Sequence, residues 1–177
     1  MRKTTLIFVI AAMLSFSLFA ADNGHISINA KVSIYDPPGD ASVAPMFTLQ
    51  ARYRLSAFLA LVGSGSWTNY EYDGADITYI PVALDGELHF LGRSTFDPYA
   101  GIGISFNYKN YNYDPPTGDE TDLTLGADIL GGITYKPTGN FGFDLEAKYR
   151  IEDIANIEDS GSWSLGGGIT GSWEKDL

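Results

Sequence analysis

The sequence contains no cysteine, only two histidines, and half as many basic as acidic residues: 11 Lys and Arg against 22 Asp and Glu in 177 residues, a net charge of −11. Without cysteine there is no disulfide framework, so an exported chain of this size must be held by a closed hydrogen-bond ladder or a sizeable core. The acidic balance repels phosphate and excludes nucleic acid as a partner. With only His25 and His89 available, a serine nucleophile has few possible bases. Beyond residue 24 no helical stripe of apolar residues persists.

What is present begins at the N-terminus. Arg2 and Lys3 precede an apolar run from Leu6 to Leu14 that continues through Phe16, Leu18 and Phe19. The run closes on Ala20 and Ala21 before the polar Asp22-Asn23-Gly24. This three-part layout predicts a secretory signal peptide over residues 1–20, cleaved after Ala20 or Ala21, and a single mature domain over 21–177. A retained anchor helix is the rival reading, but the run is borderline for spanning a bilayer and its small-residue end favours cleavage.

The rest of the chain alternates with a period of two, the mark of strands with one apolar face. Ile26, Ile28, Ala30, Val32 and Ile34 oppose Ser27, Asn29, Lys31 and Ser33. Phe47, Leu49, Ala51, Tyr53 and Leu55 oppose Gln50, Arg52 and Arg54. A third segment, near Phe58–Tyr72, is ambiguous: Leu59, Leu61, Gly63, Gly65 and Trp67 form one candidate apolar face, and Phe58, Ala60 and Val62 blur it. Five further segments repeat the pattern, around Tyr79–Phe90, Tyr99–Lys109, Leu123–Tyr135, Phe141–Ile151 and Ser162–Trp173. Links after the odd segments (Asp36–Val43, Tyr72–Asp76, Asn110–Asp122, Glu152–Gly161) read as longer and acidic, and those after the even ones as shorter. The pattern predicts an all-β fold, an eight-stranded antiparallel up-and-down transmembrane β-barrel.

The polar faces carry Lys31, Arg52, Arg54, Asp85, Glu87, His89, Asp128, Asp144, Glu146, Lys148 and Arg150, with both signs interspersed. Enclosed in a small lumen, they can pair across it as a polar network, and about eight strands leave an interior that side chains can fill. Tyr35, Tyr53, Phe90, Tyr108, Tyr135, Phe141, Trp163 and Trp173 gather near segment ends, all but Tyr35 in phase with the apolar face, as expected of girdles at two lipid interfaces. Glycines on the polar face either leave voids or permit curvature.

The stretches Ile80-Pro81-Val82-Ala83-Leu84, Leu88-His89-Phe90-Leu91-Gly92 and Asp97-Pro98-Tyr99-Ala100-Gly101-Ile102-Gly103-Ile104 resemble the fourth-to-fifth-strand region of the small outer-membrane barrels of the OmpA/OmpX/OmpW-like superfamily. The resemblance implies insertion by the outer-membrane assembly machinery, with both termini periplasmic. Pro81 within a strand lacks an N–H, and a β-bulge is the expected accommodation.

The functional expectation is a bacterial outer-membrane protein with a structural or surface-interaction role, a closed polar lumen, acidic external loops, no cofactor and no catalytic residue. It would be monomeric, with outer-membrane lipid and lipopolysaccharide as its surroundings. His25 and His89 both fall toward the periplasmic side, away from outer-leaflet chemistry, and His89 is read as a network member with Glu87 and Arg52 or Arg54. A narrow pore for small or hydrophobic solutes and a soluble periplasmic ligand-binding β-barrel are the alternatives. A weaker expectation places a divalent cation on Asp114, Asp119, Glu120 and Asp122, since carboxylate oxygens suit hard cations.

Overall fold

In the computed structural model, which describes residues 25–92, 94–113 and 120–173, the chain forms eight strands: β1 (His25–Asp36), β2 (Ala44–Arg54), β3 (Leu59–Tyr72), β4 (Ala75–His89), β5 (Phe96–Tyr113), β6 (Glu120–Tyr135), β7 (Phe141–Ile151) and β8 (Gly161–Trp173). Each pairs antiparallel with the next, and β8 returns to pair with β1, closing a barrel. The expected signal peptide lies outside the described residues.

The registers fix the geometry. Stepping from His25 through Arg54, Ala60, Glu87, Gly101, Leu130, Lys148 and Ser164 returns to β1 at Tyr35, ten residues beyond the start. A shear of this size over eight strands requires a tilt of about 40° and a backbone radius near ~8 Å. At that tilt the shortest strands rise about 28 Å, close to the hydrocarbon thickness of a bilayer.

The faces run apolar outward. Ile102 is 70% exposed and Leu145 54%, whereas Arg52 is 1% and Glu87 2%. A soluble barrel carries the opposite sense, so the exterior excludes the soluble ligand-binding reading. Exposed Phe90, Tyr135, Phe141 and Trp173 sit near the rim that carries both ends of the barrel, the terminal rim. Phe47, Trp67, Tyr108, Tyr149 and Trp163 lie toward the opposite, loop rim, where the Phe47 and Trp67 rings stack at 6.2 Å. Tyr35, grouped with the girdle by its position in the chain, instead points inward and is buried.

Ala60 and Val62 face the lumen, with Leu59 and Trp67 outward, which settles β3 on its candidate apolar face. Two local expectations are corrected. Tyr72–Asp76 is no long link: Tyr72 pairs with Ala75 across a two-residue turn of Asp73 and Gly74. Both have positive φ (49° and 75°), the conformation that matches the twist of a tight hairpin. Pro81 makes no bulge either. The β3–β4 ladder stops at Gly65–Val82 and resumes at Thr68–Tyr79 in unchanged register, so the missing N–H is met by a short gap without an inserted residue.

At the loop rim the strands end unevenly. Ile151, the last residue of β7, pairs with Ala127, while β6 continues outward to Glu120 beside β5. Strands β3 to β6 thus project past their neighbours as a four-stranded sheet.

Candidate functional site

The side chains that period-two alternation directs inward occupy the lumen in stacked layers. Nearest the terminal rim, Arg54 donates to Asp97 Oδ2 at 2.5 Å and to the carbonyls of Ala57 and Gly92. His89 lies between two carboxylates, its Nδ1 3.0 Å from Asp97 and its Nε2 3.0 Å from Glu87, with an Arg54 nitrogen also 3.0 Å from Nδ1. Just outside the strand region, half-buried Lys136 has its proton affinity lowered, first by burial and then by the guanidiniums of Arg54 and Arg52.

The middle layer is built on Arg52. Its Nε donates to Glu87 at 2.6 Å, its Nη2 to the second Glu87 oxygen at 3.2 Å, and the guanidinium lies 4.8 Å from the centre of the Tyr99 ring. Lys31 is shared by Asp144 at 2.6 Å and Glu146 at 2.7 Å. The Tyr99 hydroxyl donates to the same two carboxylates, and Thr134 donates to Asp144. Both oxygens of Glu87, Asp144 and Glu146 are thus offered charged, hydroxyl or amide donors, the condition for holding ions in a low dielectric.

Above it, Lys148 joins Asp85 at 2.7 Å to Asp128 at 3.4 Å. Arg150 grips Asp128 with two parallel bonds of 2.7 Å. Tyr79 accepts from Arg150 and donates to Asn107. Near the loop rim Glu152 is paired with Lys109 at 2.7 Å and accepts from the Tyr35 hydroxyl, while its backbone carbonyl accepts from Asn107 and Thr124. Tyr35, Ala44, Met46, Tyr70, Ala75, Ile77 and Tyr79 then form an apolar and tyrosine cap over the polar column.

The structure places all eleven sequence-derived lumen residues in the interior and brings them into these layers. His89 contacts Arg54, leaving Arg52 to Glu87. Asp97, Tyr99, Lys109, Tyr35, Tyr79 and Glu152 join them without having been singled out as members. Parity could have found Glu152, since it continues the inward phase of Asp144, Glu146, Lys148 and Arg150, yet it reads as a loop acid in the sequence. Of the residues considered for a cation, Asp114 and Asp119 lie outside the described residues. Glu120 and Asp122 are exposed on β6, and among the described residues no three His, Asp or Glu side chains converge as a metal centre.

The inward glycines are neither voids nor hinges. A Cβ on Gly103 would approach the Leu84 carbonyl to 2.6 Å and collide with Asp85, and one on Gly168 would collide with Ala30 and come within 2.7 Å of Lys31. Their missing side chains are the room that the long charged side chains fill. A cavity of about 30 Å³ remains beside β1, β2, β3 and β8, lined by Lys31, Ser33, Thr48, Ser64, Glu146 and Ser162, room for about two waters.

Comparison with known proteins follows the same outline. The family model described as "outer membrane protein beta-barrel domain" matches residues 6–170. No curated protein matches the sequence. Among solved structures, Neisserial surface protein A (NspA) is similar at 17% identity, covering 85% of this chain and 97% of its own, with a TM-score of 0.66. The N-terminal β-barrel domain of Pseudomonas aeruginosa OprF is similar at 17% identity, with coverage of 84% and 97% and a TM-score of 0.64. The outer membrane enzyme PagL is similar at 15% identity, with coverage of 81% and 97% and a TM-score of 0.53. At these identities the likeness is one of fold, and the fold hosts proteins with and without enzymatic activity.

Proposed function

The chain belongs to the outer membrane protein beta-barrel domain family, and on that premise we propose that it is a sealed scaffold of the bacterial outer membrane that presents its loop rim to the outside, without catalysis. In this reading the signal peptide is removed, the terminal rim faces the periplasm, and the girdles rest at the two headgroup interfaces with acyl chains and lipopolysaccharide around the apolar band.

The observation that carries the proposal is the continuity of the ion-paired column. Arg54, Asp97, His89, Glu87, Arg52, Asp144, Lys31 and Glu146 are linked contact by contact, and Lys148, Asp128 and Arg150 continue toward the loop rim. Passing a solute would require separating several such pairs, and stripping one partner from a buried pair costs about 3–5 kcal/mol. Catalysis finds no support in the geometry: the ring nitrogens of His89 are occupied by Glu87, Asp97 and Arg54, with no hydroxyl nucleophile among these contacts.

Planar-bilayer recording tests the reading. Purified protein should insert without stable single-channel steps; reproducible steps of fixed size would replace the scaffold with a pore. The pore is the second reading, and the hydroxyl-lined cavity beside Lys31 and Glu146 is what favours it.

A further inference from the structure

The projecting part of β6 carries an open sheet edge. From Gly126 toward Glu120 the strand pairs with β5 on one side and, among the described residues, has no β7 partner on the other. The Ile154 amide donates to the Leu125 carbonyl at 2.9 Å, which shows that the backbone groups of Leu125 point to the open side. In an antiparallel strand that direction recurs at every second residue, so the N–H and C=O of Leu123 and Thr121 point there too. Among the described residues, no backbone group pairs with them. Leu123 is 70% exposed, and Glu120, Thr121 and Asp122 are exposed as well.

We propose that this edge is a docking site for an extended, basic segment of another protein, taken up as an additional strand beside Thr121 and Leu123. The proposal rests on the surface-presentation reading above and names its partner class. Its chemistry follows from the alternation. The residues opposite Leu123 and Thr121 would exchange main-chain hydrogen bonds with them and lie beside Leu123 and Leu125, so they should be apolar. Their neighbours, opposite Glu120 and Asp122, should be lysine or arginine. The adjoining β7–β8 link adds exposed Glu158 and Asp159 and holds Asp153 beside the Ile154 contact. A second copy is the wrong occupant, because edge-to-edge pairing would set Glu120 and Asp122 against the same carboxylates of the other chain. The charges that discourage self-pairing are the ones that select a basic partner.

The test uses the full mature chain in lipid nanodiscs and a synthetic peptide of alternating valine and lysine flanked by glycine and serine. The peptide should bind, and amide exchange should slow at Thr121 and Leu123 but not at Asp122, whose N–H points to β5. The same peptide N-methylated on its valines keeps its charge and should bind about tenfold more weakly, as expected from losing two main-chain hydrogen bonds. L123P removes one open donor without breaking a β5 bond and should weaken the unmodified peptide about threefold, as expected from losing one such bond, with heat-modifiable gel mobility reporting that the barrel is folded. Equal binding of the methylated peptide, unslowed exchange at Thr121 and Leu123, or cross-linking of unliganded T121C chains to each other would each overturn the proposal. A conducting barrel that still takes up the peptide would sink the sealed-scaffold reading and leave this one standing. A silent barrel that ignores the peptide would do the reverse.

Discussion

Arg52 and Glu87 meet side-on at the centre of the lumen, with both carboxylate oxygens bound by the guanidinium, at 2.6 and 3.2 Å, and both side chains about 1% exposed. Such a pair is costly to halve and cheaper to remove whole. R52M should lower the unfolding free energy by about 3–5 kcal/mol, since Glu87 and Asp144 lose their shared cation. R52M combined with E87M should recover most of that loss. Equilibrium urea titration of the refolded protein in detergent, monitored by tryptophan fluorescence, measures both. Equal instability of the single and double variants would deny the pair its central place.

The inward and outward glycines should behave oppositely. At Gly103 an added methyl meets the Leu84 carbonyl and Asp85, backbone that cannot retreat, whereas at Gly63 it meets nothing within 4 Å. G103A should cost about 1–3 kcal/mol by overpacking, and G63A should change stability by less than about 0.5 kcal/mol. Refolding yield into detergent and urea midpoints distinguish the two.

Glu152 anchors the β7–β8 link through Tyr35 and Lys109. E152Q keeps the shape but loses the charge opposite Lys109. It should destabilise the folded state by about 1–3 kcal/mol. Limited proteolysis should also cut the exposed stretch from Ile154 to Asp159 faster than in the parent chain.

Lys136 supplies a pH dependence of known sign. Its folded affinity for the proton is below that of an unfolded lysine, so its charge opposes folding at neutral pH and the opposition fades as pH rises toward about 10.5. K136Q should therefore have a higher urea midpoint than the parent at pH 7, with the difference shrinking in alkaline buffer. A difference that grows with pH would reverse the sign assigned here.

The eight strands were legible because lipid outside and ions inside impose opposite demands on alternate residues, and segments such as Phe141–Ile151 answer both at every position. The β3 strand resisted because its decisive positions, Ala60, Val62, Gly63 and Gly65, are small and weakly committed to either medium. The outward extensions of β5 and β6 resemble a link from Asn110 to Asp122 in the sequence because beyond the bilayer no lipid-facing row is required: Asn110, Asn112, Thr121 and Asp122 are polar on both faces. The cap of Met46, Tyr70 and Ile77 inverts the rule locally by placing apolar groups inside. Which cation meets which carboxylate depends on the shear, and alternation carries no trace of that number: it orients Arg52 and Arg54 alike, yet only the registers give Glu87 to one and Asp97 to the other.

Among the described residues, six cationic side chains, Lys31, Arg52, Arg54, Lys109, Lys148 and Arg150, face seven carboxylates inside this barrel, with His89 held between two of them. Near-neutral closure of that kind ties the members' histories together. A lone sign change strands its counterpart in a dry enclosure, so the interior can drift only by coupled exchanges, while the lipid-facing surface is free to trade one aliphatic residue for another. Descendants of this chain should therefore diverge fastest on the outside and change within in matched steps.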